Sequence, residues 1–180
     1  MSNRGSTESH SGSQVPENKR TSLGLYTTAK EAYETWRADS NNVRLLDVRT
    51  PEEYVFVGHA DMAWKVPVAH QSYTWDQSRG LFPMRPLSDF VSRVRKIAAP
   101  DDQILAMCRS GGRSAMAVNL LAAAGFSRVY QIIDGMEGDA VADPESVFRG
   151  QRLRNGWKNS GCPWTYNLTR ERLLLPPEQS

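Results

Sequence analysis

Apolar residues occur along this chain in two patterns, short continuous runs and runs with helical spacing, and the two patterns alternate. Short apolar runs predict buried strands at residues 43–48, 63–66, 103–107 and 128–132. Helical spacing predicts longer helices over residues 29–36, 87–98 and 114–124. Pro51 suits the first turn of a further short helix. Strands that alternate with helices are typical of an α/β domain with a mainly parallel sheet.

The same pattern sets the limits of the predicted domain. Residues 1–21 are mostly Ser, Gly, Asn, Gln and charged residues with almost no apolar ones, so we expect a disordered tail there. The domain is predicted over residues 22–165, and residues 166–180 are predicted to form a C-terminal tail. Two stretches inside the domain, 69–86 and 138–156, follow neither pattern and are predicted to be long surface loops.

Charge and cysteine content exclude several classes of protein. The 180 residues carry a formal net charge of +2, which gives no electrostatic argument for nucleic acid or an anionic membrane as a partner. No apolar run approaches the roughly 20 residues that span a bilayer, and the N-terminus lacks a signal-peptide profile, so a cytoplasmic protein is expected. Cys108 and Cys162 are too few for a disulfide framework, and no Cys/His cluster has zinc-site spacing, so no metal is expected.

The end of the third apolar run carries the most informative chemistry. The run Ile104–Met107 stops at Cys108, a short Gly-rich segment follows, and a helix-forming stretch begins near Ser114. A strand that turns into a helix in this way aims backbone N–H groups and the positive end of the helix dipole at one point. Because Arg109 and Arg113 add positive charge, we expect the Cys108 sulfur to favour its anionic form. The segment is therefore interpreted as a reactive thiolate in an anion-binding loop.

Other short motifs accompany this loop in a fixed order. They are Leu45–Tyr54 (LLDVRTPEEY), Gly58-His59, Asp134-Gly135-Met136 and Gly156–Trp164 (GWKNSGCPW). In order and spacing the set resembles the rhodanese-homology domain, the thiosulfate sulfurtransferase family, across roughly residues 22–165. The chain departs from the family after His59, where Ala60-Asp61-Met62-Ala63 stands in place of Ile-Pro-Gly-Ala.

The resemblance implies a rhodanese-like α/β fold with a central five-stranded, mainly parallel sheet and helices on both faces. It implies that Cys108 is the nucleophile, which takes sulfane sulfur from a donor and holds it as a persulfide. The substrate would be bound by the residues of the loop: Arg109, Ser110, Gly111, Gly112, Arg113 and Ser114. For Arg113 the alternative is that it braces the loop against a carboxylate. Asp47 and Arg49 would support this loop from behind, by hydrogen bonds to it or by pairing with Arg113 or Glu53. No cofactor is implied.

The resemblance further implies a small-molecule sulfane donor such as thiosulfate and a thiol or cyanide as acceptor. A protein donor or acceptor stays open, and a monomer is expected with a dimer as the alternative. Tyr73 and Trp75 in loop 69–86 are candidates to overhang the substrate pocket, although a surface loop without a role in specificity is the simpler interpretation. Cys162 is interpreted as a packed residue rather than as a resolving thiol.

Two other functions stay open. A rhodanese-like module can serve in binding or regulation without catalysis, but such modules often lose the cysteine or the loop glycines, and this chain keeps Cys108, Gly111 and Gly112. Cysteine-dependent phosphatases and arsenate reductases share the fold, but they need a loop that is one residue longer. Since only four residues separate Cys108 from Arg113, sulfur transfer is the preferred prediction.

Overall fold

The computed structural model describes residues 15–177. Strands and helices are numbered along the chain, and five strands form a parallel sheet in the order β1-β7-β6-β2-β3. These strands are β1 (Tyr26–Thr27), β2 (Val43–Asp47), β3 (Trp64–Lys65), β6 (Gln103–Met107) and β7 (Val129–Ile132). The helices are α1 (Ala29–Ala38), α2 (Pro51–Phe56), α3 (Phe90–Val94) and α4 (Gly112–Ala123). The predicted α/β fold with a five-stranded parallel sheet is confirmed.

Both faces of the sheet are covered, which explains why most residues of its central strands are apolar. In β6, Ile104 and Ala106 pack in one apolar cluster, which includes residues of α3 and α4. Leu105 and Met107 pack in the other, which includes Ala29 of α1. Successive side chains of a strand point to opposite faces, so a strand buried on both sides has apolar residues at successive positions rather than at alternate ones.

The ends of the helices follow from local hydrogen bonding. At the start of α1, the Thr28 Oγ1 accepts a hydrogen bond from the Glu31 amide (3.3 Å), and the Glu31 carboxylate accepts one from the Thr28 amide (2.8 Å). This is the capping box that the spacing predicts. Helix α4 begins two residues earlier than predicted, because Gly111 supplies its N-cap with a positive φ of 108°.

The stretch 69–86 differs from the prediction, since it is not a loop throughout. Its two ends form an antiparallel pair, β4 (Ala69–Gln71) with β5 (Met84–Pro86). Each strand has only three residues, and β5 ends in a proline, so neither shows a strand-like pattern in the sequence. We refer to residues 69–86 as the hairpin.

Helix α3 is shorter than the predicted helix over 87–98. Its ends are tightened into turns, because the Phe90 amide bonds to the Leu87 carbonyl and the Ile97 amide to the Val94 carbonyl (3.0 Å). Such bonds, which span three residues, are common at helix ends.

The segments just outside the predicted domain limits, on both sides, pack against the sheet and its helices. In the segment assigned to the N-terminal tail, Val15 is buried and Lys19 Nζ donates to the Ile133 carbonyl (3.1 Å). In the segment assigned to the C-terminal tail, the Leu174 amide donates to the Lys65 carbonyl of β3 (2.9 Å). Residues 1–14 and 178–180 of the two predicted tails lie outside the described residues.

The turn at 60–63, where the sequence departs from the family, is held by a buried lysine. Lys65 Nζ donates to the Ala60 carbonyl (3.2 Å) and to the Asp61 carbonyl (3.1 Å). Burial lowers the pKa of Lys65 to about 8, although the nearby Asp47 charge opposes this shift. Within residues 15–177, no helix is long and apolar enough to cross a membrane.

Candidate functional site

Cys108 lies at the carboxyl end of β6, where ligands of parallel sheets bind. The residue is 2% exposed, and its Sγ accepts a hydrogen bond from the Gly111 amide at 3.1 Å. A methyl group built on Gly111 would lie 2.5 Å from the Ile133 carbonyl oxygen. Because φ is also positive there, only glycine allows the amide to face the sulfur.

The carbonyl oxygen of Gly111 is also held in place by hydrogen bonds. It accepts hydrogen bonds from Gln131 Nε2 (2.7 Å), Ser114 Oγ (3.0 Å) and the Ala115 amide (3.1 Å). Gln131 is fully buried in β7 and was not singled out from the sequence. The available signal was a lone polar residue inside an apolar run, since a buried amide side chain must have a partner.

The segment Asp134-Gly135-Met136 supports the loop from its other side. The Met136 amide donates to the Cys108 carbonyl (2.8 Å), and a methyl group on Gly135 would lie 2.5 Å from that oxygen. The Asp134 carboxylate accepts from the amides of Ala29 (2.8 Å) and Gly156 (2.9 Å). Burial raises the pKa of Asp134, although these amides oppose the shift.

Arg113, the last cation of the loop, is paired with a carboxylate. Its two terminal nitrogens bond to the two Glu53 oxygens, at 2.5 and 2.6 Å. Burial disfavours both charges, but the pairing outweighs it, so the pKa of Arg113 is raised and the pKa of Glu53 is lowered. The pairing favours bracing of the loop against α2 over the substrate contact that was predicted for Arg113.

Arg109 differs from Arg113 because its side chain is exposed and pairs with no carboxylate among residues 15–177. It lies at a cavity of about 420 Å³. The cavity is lined by Thr50, Glu52, Glu53, Gln71, Tyr73, Met84, Arg109 and Arg113. The hairpin therefore forms one wall. Tyr73 takes part in this wall, whereas Trp75 stacks edge-on against Phe82, with 5.1 Å between the ring centroids.

Asp47 and Arg49 form a fully buried ion pair with each other. Arg49 Nε lies 2.9 Å from Asp47 Oδ1, and Arg49 Nη2 lies 2.6 Å from Asp47 Oδ2. Arg49 Nη2 also donates to the Gly58 carbonyl (2.8 Å), and the Tyr54 hydroxyl donates to the Asp47 carbonyl (2.9 Å). The prediction that these side chains bond the cysteine loop, Arg113 or Glu53 is therefore wrong. They fix the turn that follows α2, the helix that carries Glu53.

The second cysteine lies apart from this arrangement. Cys108 and Cys162 are both free and buried, and they belong to the apolar clusters on opposite faces of the sheet. Burial raises the pKa of the Cys162 thiol to about 11, so its thiolate form is scarce near neutral pH. The described residues also contain no group of three His, Cys, Asp or Glu side chains that could hold a metal ion.

Comparisons with known proteins agree with this geometry. The model of the rhodanese-like domain family matches residues 28–140. An uncharacterised protein of Rickettsia prowazekii is 32% identical over 127 residues, which cover 71% of this chain and 86% of that protein. Thiosulfate sulfurtransferase 16, chloroplastic, of Arabidopsis thaliana is 40% identical over 92 residues, covering 51% of this chain and 69% of that protein. The crystal structure of Rv0390 from M. tuberculosis matches with a TM-score of 0.59 and 28% identity, over 79% of this chain and 99% of that one. The chain belongs to the family of rhodanese-like domains.

Proposed function

We propose that this protein is a sulfurtransferase in which Cys108 carries sulfane sulfur, as a persulfide, from a donor such as thiosulfate to a thiophilic acceptor. The observation that carries the proposal is the hydrogen bond from the Gly111 amide to Cys108 Sγ at the N-terminus of the 12-residue helix α4. That amide and the helix dipole stabilise negative charge on the sulfur. The name of the similar thiosulfate sulfurtransferase of Arabidopsis thaliana supports the choice of donor.

In the first step, the Cys108 thiolate attacks the outer sulfur of thiosulfate. The sulfur–sulfur bond of the donor breaks, its electron pair leaves with sulfite, and Cys108 becomes a persulfide anion. Arg109 is the residue that suits the donor's oxyanion, because its guanidinium is exposed at the cavity and free of carboxylate partners among residues 15–177. The Gly111 amide is already aimed at the sulfur on which charge changes.

In the second step, an acceptor nucleophile attacks the outer sulfur of the persulfide and leaves the Cys108 thiolate behind. With cyanide the product is thiocyanate, and with a thiolate it is a new persulfide. Both steps are displacements by anions, so neither needs a general base, and the kinetics are expected to be ping-pong. A cavity of about 420 Å³ lies in the size range of small-molecule sites, so it also has room for an organic thiol.

The pairing of Arg113 supports sulfur transfer over phosphoryl transfer. A cysteine-dependent phosphatase would need this arginine to bind the oxygens of the transferred group. Here both terminal nitrogens of Arg113 already bond to Glu53. A module that serves only in binding or regulation, in turn, gives no reason for an amide aimed at a buried sulfur.

The proposal is tested by incubating the wild-type protein with thiosulfate, removing the donor and measuring the intact mass. We expect a gain of one sulfur atom, which added cyanide removes with formation of an equal amount of thiocyanate. If no sulfane donor adds sulfur to the folded protein, the module is one for binding. If the protein instead hydrolyses an aryl phosphate, the phosphatase alternative is correct.

Arg109→Gln is expected to raise the KM for thiosulfate by about 10- to 100-fold, since one charge-assisted contact to an anion is lost. The kcat for transfer to cyanide should change far less, because the Gly111 amide is untouched. The matched control is Arg79→Gln, which removes an exposed arginine of the hairpin that does not line the cavity. Equal KM values for Arg109→Gln and the wild type would show that the donor binds elsewhere.

A further inference from the structure

We propose that Lys19 is a positioning residue for the sulfur-binding amide of Gly111. Lys19 lies outside residues 28–140, the part of the chain that the family model matches, and in a segment that the sequence assigns to a tail. The inference rests on the proposed function only in giving that amide a role in sulfur transfer. The contacts on which it depends involve three segments of the chain.

The first contact is between the Lys19 side chain and Gly111. A methyl group built on Gly111 would lie 2.8 Å from Cδ and 3.1 Å from Cε of Lys19. The aliphatic part of Lys19 therefore covers the side of Gly111 where other residues have a Cβ. Because glycine has the greatest backbone freedom of all residues, contacts from outside must fix the orientation of its peptide groups.

The second contact is between the Lys19 ammonium and the carbonyl that faces Gly111. Lys19 Nζ donates to the Ile133 carbonyl at 3.1 Å. The same oxygen would lie 2.5 Å from a methyl group on Gly111. The methylene groups of Lys19 thus form one wall of the space around Gly111. The Ile133 carbonyl forms the other wall, and Lys19 holds it by a hydrogen bond.

The third contact connects Lys19 with the stretch 138–156, which the sequence predicts to be a long surface loop. Lys19 Nζ lies 3.2 Å from Asp139 Oδ1, and the Asn155 side chain donates to Asp139 Oδ2 at 3.1 Å. The Lys19 side chain is 15% exposed. Burial of Asp139 works against its charge, yet the hydrogen bond from Asn155 and the Lys19 charge lower its pKa. Lys19 therefore connects the stretch 138–156 with Gly111 of the cysteine loop.

The segment that carries Lys19 is itself held against the domain, so the Lys19 side chain has a fixed position beside Gly111. It ends a 3-10 turn, Glu17–Lys19, that follows the buried Val15. Three residues later, the Ser22 amide donates to Asn119 Oδ1 on helix α4 (2.8 Å). The segment is thus attached to the helix whose N-terminus carries Gly111.

The test compares Lys19→Met, which keeps most of the side-chain bulk but removes the ammonium, with Lys30→Met, which removes an exposed lysine of α1. We expect Lys19→Met to shift the Gly111 amide signal in ¹H–¹⁵N spectra and to slow both alkylation of Cys108 by iodoacetamide and sulfur loading by about 2- to 10-fold, the range that one hydrogen bond supplies. Lys19→Arg should restore most of the rate, and Lys30→Met should match the wild type.

Asp139→Asn is a second variant that decides the question if Lys19→Met does not fold, and it should move the Gly111 signal and the alkylation rate in the same direction by less. A lower melting temperature with an unchanged Gly111 signal and unchanged alkylation rate would overturn the proposal, since Lys19 would then serve stability alone. The NMR and alkylation readouts need no turnover. If the wild type takes up no sulfur while both readouts respond to Lys19→Met, the proposed function fails and the positioning role stands.

Discussion

Cys108→Ser is expected to abolish sulfur loading from thiosulfate, whereas Cys162→Ser is expected to load one sulfur atom as the wild type does. The serine hydroxyl stays protonated near neutral pH and cannot hold sulfur as a persulfide. Cys162 is a matched control, because it is the other cysteine of the chain, it is also buried, and it lies on the other face of the sheet. The two variants together show whether sulfur loading needs the thiol of the loop or any thiol of the protein.

The measurement is intact mass after donor removal, together with the initial rate of thiocyanate formation. Removal of the nucleophile should lower that rate by more than about 10³-fold, since loss of a covalent nucleophile costs far more than loss of a binding contact. Cys162→Ser should stay within a factor of about 2, because burial raises the pKa of its thiol to about 11 and leaves little thiolate to react.

A melting temperature for each variant guards against loss of fold. The Cys108 sulfur accepts one hydrogen bond from Gly111 and packs in the apolar cluster, so a serine of similar size should fold. Equal labelling of the wild type and Cys108→Ser would place the sulfur on another residue. Loss of labelling in Cys162→Ser would show that the two cysteines act together.

The central strands and the cysteine loop could be predicted from the sequence because burial and chemistry leave local signs there. Strands β2 and β6 are covered on both faces, so apolar residues prevail in them, with Leu45-Leu46 in β2 and Ile104–Met107 in β6. The loop combines a cysteine with Gly111 and a helix-forming stretch. The cysteine supplies the thiol, and the glycine and the helix supply the backbone geometry around it. Local signs of this kind do not depend on what lies next to them in space.

The hairpin and β1 could not be predicted, because their pairing depends on neighbours that are distant in sequence. Strand β1 has two residues and exists as a strand only through its pairing with Gln131 and Ile132 of β7. Each hairpin strand has three residues, and a period of two is not visible over so short a length.

The partners of the charged site residues were the hardest part of the site to predict. Arg113 pairs with Glu53, which is 60 positions away, so the sequence gives the charge but not its use. Lys19 lies among polar residues, and nothing in its surroundings distinguishes a packed segment from a tail. Asp47 and Arg49 are different, since residues two apart in extended chain share a face, and this spacing was a usable sign that they pair.

Breaking that buried ion pair is expected to cost more stability than any other charge removal considered for this protein. Asp47 and Arg49 are both 0% exposed, so removal of one partner leaves the other charge buried without its ion-pair partner. Arg49→Met and Asp47→Asn should each lower the free energy of unfolding by about 3–5 kcal/mol. This is a large fraction of the roughly 5–15 kcal/mol that stabilises a typical domain. The measurement is urea unfolding at neutral pH, followed by tryptophan fluorescence.

The control is Asp89→Asn, which removes the partner of another buried arginine. The Asp89 side chain is 30% exposed, and Arg93 keeps the carbonyls of Pro67 and Leu174 as acceptors, so this loss should be clearly smaller. The double variant with Asp47→Asn and Arg49→Met should be more stable than the sum of its two single losses implies, by about 2 kcal/mol, because neither charge is then left unpaired. Additive losses would show that each side chain acts through separate contacts.

The folded double variant also separates support of the fold from a part in the chemistry. Arg49 bonds to Asp47 and to the Gly58 carbonyl, and neither it nor Asp47 lines the cavity at Arg109 and Arg113. Because the pair has no hydrogen bond to the cysteine loop, we expect the double variant to load sulfur from thiosulfate at a rate within about 10-fold of the wild type, since what is lost is the fixed position of α2 and thereby of Glu53. A loss of loading as complete as that of Cys108→Ser, in a variant that remains folded, would instead assign this pair to the reacting groups.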